Sequence, residues 1–202
     1  MIDELLARLG SADDTQAEAA ALALARCGEA AIPGLRELVA PEGRSNQGDE
    51  APDSPGEARW WAARALALID SPEAARLLGS LLADPDPDLR ACAIAGLGER
   101  ARAESIPDLI AVLSDADSFV ARLAGDALIR IGRPAVPELT RALADPASQQ
   151  RRIQAARVLA HLAAPESIPA LFRALEDESM FVQHWAGEGL ERLGVGMVYF
   201  NA

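Results

Sequence analysis

Ala58-Arg59-Trp60-Trp61-Ala62-Ala63-Arg64-Ala65-Leu66 returns in outline as Leu89-Arg90-Ala91-Cys92-Ala93-Ile94-Ala95-Gly96-Leu97, and again as Val120-Ala121-Arg122-Leu123-Ala124-Gly125-Asp126-Ala127-Leu128. Leu66, Leu97, Leu128, Leu159 and Leu190 follow one another at 31-residue spacing, with Leu24 an earlier copy. Four positions before each stands Ala: Ala20, Ala62, Ala93, Ala124, Ala155 and Ala186. Three positions after come Cys27, Ile69, Arg100, Ile131, Leu162 and Leu193, of which only Arg100 is polar. At about 100° per residue these offsets share one face of an α-helix, and a fixed period means a repeat architecture.

A second helix precedes each copy, as in Ile106-Pro107-Asp108-Leu109-Ile110-Ala111-Val112-Leu113 and Ile168-Pro169-Ala170-Leu171-Phe172-Arg173-Ala174-Leu175. Proline suits its first turn, where an amide hydrogen has no partner to lose. Asp84-Pro85-Asp86-Pro87, Asp115-Ala116-Asp117-Ser118, Asp145-Pro146-Ala147-Ser148 and Asp177-Glu178-Ser179 read as helix stops followed by N-caps. The expected units are 2–28, 30–70, 72–100, 105–132, 134–163 and 166–193, making one repeat domain over 1–202. A lone hairpin cannot bury its apolar face, so the units must stack into an α-solenoid.

Composition agrees. Ala contributes 43 and Leu 27 of 202 residues, while aromatics make up 4%, a balance that favours helices over strands. The formal net charge of -12 opposes the phosphate backbone, so nucleic acid is not an expected partner. All 19 basic residues are Arg, which removes lysine Schiff-base and P-loop chemistry. The acidic start Met1-Ile2-Asp3-Glu4 is unlike a signal peptide, and no apolar run reaches the ~18 residues of a membrane span. Cys27 and Cys92 are too few for a disulfide scaffold and lie in different columns. A cytoplasmic protein without membrane contact is expected.

The strings Leu89-Arg90-x-x-Ala93-x-x-x-Leu97, Val120-x-x-x-Ala124-x-x-Ala127-Leu128 and Ala58-Arg59-x-x-Ala62-x-x-Ala65-Leu66, with the Asp-Pro turns, resemble the HEAT-like repeats first grouped with the phycobilisome lyases. The resemblance spans nearly the whole chain. It implies an all-α fold, a right-handed α-α superhelix of about six HEAT-like hairpins, with the second helix of each pair lining the concave surface. Similar proteins include chromophore lyases, hydroxylases and plain binding scaffolds, so the fold alone does not choose among them. The hydroxylases hold iron with His-Glu dipeptides, and this sequence contains none.

Two stretches break the period. Between Leu24 and Leu66 an insertion over 41–56, rich in Pro, Gly and polar residues, reads either as a tolerated surface loop or as a lid over a binding face. At the end, 194–202 keeps apolar residues without periodicity. Met197, Val198, Tyr199 and Phe200 either cap the last core face or dock elsewhere.

Positions six and two before the key Leu lie about 120° and 160° round the helix from it and should face the groove. The first column reads Glu18, Trp60, Ala91, Arg122, Ile153 and His184; the second reads Leu22, Arg64, Ala95, Asp126, Arg157 and Glu188. Trp60 with Arg64 offers a cation-π contact, Arg122 with Asp126 a helix ion pair, and His184 with Glu188 an acid-base pair one turn apart. Trp61 and Trp185 lie further round, as fillers between repeats. Arg59, Arg90 and Arg152 sit about 20° from the key Leu, at the seam, where the turn aspartates Asp84, Asp115, Asp145 and Asp177 would hold them.

Other chemistry has little foothold. His161 and His184, the only imidazoles, occupy different columns, about 12 Å apart along the helix axis, so no shared metal is expected. Gly96-Leu97-Gly98-Glu99-Arg100-Ala101 mimics a dinucleotide fingerprint but lies at a helix end with no strand before it. The reading is a non-catalytic scaffold that binds a protein or peptide segment on a groove formed by Trp60, Arg64, Arg122, Asp126, Ile153, Arg157, His184 and Glu188, without cofactor. The alternative carried by the resemblance is a bilin lyase or chromophore-handling protein.

Overall fold

The computed structural model describes residues 1–40 and 55–195. Among them run twelve α-helices and no strand: α1 (Ile2–Arg8), α2 (Asp14–Cys27), α3 (Ile32–Val39), α4 (Pro55–Leu68), α5 (Pro72–Leu81), α6 (Pro87–Arg100), α7 (Ile106–Val112), α8 (Ser118–Ile131), α9 (Val136–Leu143), α10 (Gln149–Leu162), α11 (Ile168–Ala174) and α12 (Met180–Arg192). They alternate short and long. Each short helix from α3 to α11 carries Pro in its first turn: Pro33, Pro72, Pro107, Pro137 and Pro169.

The chain gathers into two compact units, Met1–Arg100 and Ala101–Ala202. In the first, α1–α2, α3–α4 and α5–α6 form hairpins, and the long helices pack α2 on α4 on α6. In the second, α7–α8, α9–α10 and α11–α12 pair the same way, with α10 between α8 and α12. Both units are layered helical hairpins of the α-solenoid kind.

The repeating Ala and Leu build these layers. Every key Leu and every Ala four positions before it is buried. A fully buried Leu contributes about 1.5–3 kcal/mol, while the Ala column lets long helices approach closely. In the first unit, a Cβ on Gly96 of α6 would lie 2.5 Å from the Ala67 Cβ of α4. In the second, one on Gly189 of α12 would meet the Ala160 Cα of α10 at 3.1 Å. Both glycines directly precede the key Leu, so the dinucleotide-like string is part of a helix crossing inside α6.

The turns follow the sequence reading. Asp84, Asp115, Asp145 and Asp177 each accept the backbone N–H two residues on, closing the turn before the long helix. Asp117 caps α8 by accepting from the Phe119 N–H at 2.8 Å. The seam arginines reach a turn 25 residues ahead: Arg59 donates to Asp84 at 2.6 Å and Arg152 to Asp177 at 2.8 Å, with both guanidinium groups buried. Arg90 donates to the backbone carbonyls of Asp84 and Pro85. Asp145 is held by the neighbouring Arg151.

Helix α4 begins at Pro55, so the expected loop ends two residues earlier than its 41–56 boundary, because Pro55 is suited to a first helical turn. Residues 41–54 lie outside the described residues. So do 196–202, with Met197, Val198, Tyr199 and Phe200. Among the described residues no helix is long and apolar enough to cross a membrane. Cys27 is half-buried and Cys92 buried, both as free thiols.

Candidate functional site

In the second unit the long helices bring four of the expected residues together. Arg122 of α8 donates to Asp126, one turn on, at 3.1 Å. Arg157 of α10 donates to the other Asp126 oxygen at 2.8 Å, to the Arg122 carbonyl at 3.0 Å and, through Nε, to Gln154 at 3.0 Å. Asp126 is thus shared by two guanidinium groups. Gly125 makes this possible, since a Cβ there would collide with the Arg157 guanidinium. Arg157 is only 13% exposed and donates to three acceptors, whereas Arg122 is 52% exposed. The Arg122 guanidinium carbon lies 5.5 Å from the centre of the Phe119 ring, itself 53% exposed. Half-buried Ile153 stands one turn before Arg157 on α10.

His184 is exposed at the start of α12, and its ring centre lies 5.3 Å from that of Trp185. His161 of α10 approaches the same indole at 5.7 Å, so Trp185 fills the space between α10 and α12, as a spacer between repeats should. The His161 Nδ1 lies 2.8 Å from the Arg157 carbonyl. A carbonyl only accepts, so Nδ1 carries the proton. The expected pair between His184 and half-buried Glu188 does not form; the His184 ring lies beside the Trp185 indole instead. Among the described residues no group of His, Cys, Asp and Glu is placed to hold a metal ion.

In the first unit Trp60 and Arg64 part company. Trp60 packs edge-to-face on Trp61, with ring centres 4.8 Å apart and planes at 87°. The expected stacking of Arg64 on Trp60 is absent. Arg64 instead acts on Cys92: burial pushes that thiol up to about 11, with the Arg64 charge drawing it partly back, so Cys92 is a protonated, unreactive side chain near neutrality. The two tryptophans line a depression of about 370 Å³ together with Asp14, Thr15 and Glu18 of α2 and Glu57 of α4. The repeat phase alone makes Trp61 a filler and does not pair Glu57 with it. The signal was available: Thr15 and Glu57 occupy the position nine before the key Leu, on the same side as Glu18 and Trp60 six before it.

A model of HEAT repeats matches residues 49–128 and 76–160, and one of the PBS lyase HEAT-like repeat matches 151–177. The chain is similar to the solved structure of the Escherichia coli protein YibA, with 21% identity over 95% of this chain and 72% of that one and a TM-score of 0.53. It is also similar to the complex of CpcE and CpcF of phycocyanin lyase from Nostoc sp. PCC7120, with 23% identity over 94% of this chain and 76% of that one and a TM-score of 0.50. At these identities the likeness concerns the fold. No curated protein matches the chain in sequence.

Proposed function

This chain belongs to the HEAT repeat family, whose model spans residues 49–160, and from that premise we propose that it is a non-catalytic scaffold binding a segment of a partner protein on its long helices. Trp60 and Arg64 are the contact residues of the first unit; Arg122, Asp126, Ile153, Arg157, His184 and Glu188 are those of the second. The observation carrying this reading is the Arg122–Asp126–Arg157 network. Its arginines are fixed before any partner arrives, so little side-chain entropy is lost on binding. Arg122 beside exposed Phe119 offers donors next to apolar surface, the mixture found at interface hot spots. The setting we infer is the cytoplasm, in keeping with two free thiols.

The test is capture of partners from the source cell by the full chain and by a Trp60→Ala/Arg122→Ala variant. Hot-spot truncations cost about 2 kcal/mol or more, so the variant should lose at least about tenfold in affinity while its melting temperature stays near that of the parent. Equal capture of the same partner would remove these residues from the interface.

A second reading is favoured by the PBS lyase HEAT-like match at 151–177, namely a chromophore-handling protein. Mixing with a bilin would then shift the visible absorbance. An unchanged spectrum contradicts it.

A further inference from the structure

We infer that the depression between the first turns of α2 and α4 receives a basic side chain of the partner segment, an arginine or lysine whose charged head lies against Trp60 and Trp61. This deepens the scaffold reading, on which it rests for the source of the cation. Two indoles and three carboxylates, from Asp14, Glu18 and Glu57, line the depression, with Thr15 as the sole neutral polar residue. Among the described residues no basic side chain takes part in the lining.

Acidic groups in helix first turns are common, because they complement the positive end of the helix dipole. That explains Asp14 and Glu57 singly but not their convergence with Glu18 on a pair of tryptophans. Some carboxylates elsewhere in the chain are held by arginine, as Asp84 by Arg59, Asp126 by Arg157, Asp145 by Arg151, Asp177 by Arg152 and Glu166 by Arg133. Among the described residues Asp14, Glu18 and Glu57 have no such partner. Three negative charges converging on one depression beside two indoles are complemented by a cation.

The walls decide which kind. An anion would meet three negative charges, and an uncharged apolar group would displace water from carboxylates without replacing its hydrogen bonds. A metal ion would gain nothing from indole rings, and about 370 Å³ is far more room than one needs. A guanidinium or ammonium group on an apolar stem satisfies both parts of the lining. Its head takes hydrogen bonds and charge from the carboxylates while the indole faces attract it through their quadrupole. The edge-to-face packing of Trp60 and Trp61 keeps both rings from collapsing onto the same plane, so indole faces are presented in two directions. The net charge of -12 draws such a segment in over long range.

The experiment uses the full chain, nitrogen-15 labelled, titrated with acetyl-Ala-Ala-Arg-Ala-Ala-amide and with its citrulline counterpart, which keeps the shape and removes the charge. The Arg peptide should move the indole N–H resonances of Trp60 and Trp61 and leave that of Trp185 in place. The citrulline peptide should bind about tenfold more weakly, as expected for losing the charge-assisted and cation-π contributions together. Glu18→Gln/Glu57→Gln, which leaves the core untouched, should weaken the Arg peptide by a similar factor and flatten its salt dependence. Equal binding of the two peptides, or indole shifts confined to Trp185, would overturn the inference. So would an Arg peptide that moves no indole. If that happens while partner capture still depends on Arg122, the scaffold reading survives and only the cation pocket falls.

Discussion

Ala101 and Ala163 follow α6 and α10 with φ of 48° and 45°, in the left-handed region, at the same place in the repeat where Gly28, Gly132 and Gly194 stand. An L-residue there costs about 1–2 kcal/mol. Ala163→Gly should therefore raise stability by about 1 kcal/mol in chemical denaturation, after allowing for the greater freedom of glycine in the unfolded chain. The opposite change at the helix crossing should harm. Gly96→Ala brings its Cβ to 2.5 Å from the Ala67 Cβ, a backbone-level collision expected to cost about 1–3 kcal/mol. Arg59→Met leaves Asp84 charged in a site where both side chains are about 5% exposed, and removing one partner of a buried pair costs about 3–5 kcal/mol. A loss under about 1 kcal/mol would mean that Asp84 finds water instead. Among single residues, the seam arginines were readable because the repeat phase alone sets their column. Arg64 was not: the repeat phase does not say whether its charge acts on Trp60 or on Cys92 of α6.

At the scale of elements, helix ends carry the pH dependence. The backbone N–H of Ala147, followed by Arg151, holds the Asp145 carboxyl below its ordinary range; the Gln16 side chain and then the Thr15 N–H do the same for Asp13 at the start of α2. The backbone N–H of Glu166, then Arg133, lowers Glu166. A carboxyl depressed in the folded state binds fewer protons there than when unfolded. Its contribution is complete above the ordinary carboxylate range, about pH 5, and disappears as pH falls through the folded value. Thermal melting should therefore be flat near neutrality and fall progressively below about pH 5. Asp145→Asn should make that fall shallower, and an unchanged acid limb would refute this assignment. The helices themselves were legible from Ala, Leu, Pro and Asp at fixed offsets. The boundary at Pro55 and the depression under Trp61 were less so, because each depends on how two neighbouring first turns meet and not on the phase within one helix.

For the whole molecule, the 31-residue phase assigns each long helix a buried Ala–Leu face and an outward face, and the described residues keep that division in both compact units. The binding role rests on the outward face. Hydroxyl-radical footprinting of the full chain with its captured partner tests it most directly. Protection is predicted at Trp60 and Trp61 on α4, Phe119 and Arg122 on α8, Ile153 on α10 and His184 on α12. Protection confined to the short helices α3, α5, α7, α9 and α11, with these side chains oxidised as fast as in the free protein, would contradict it.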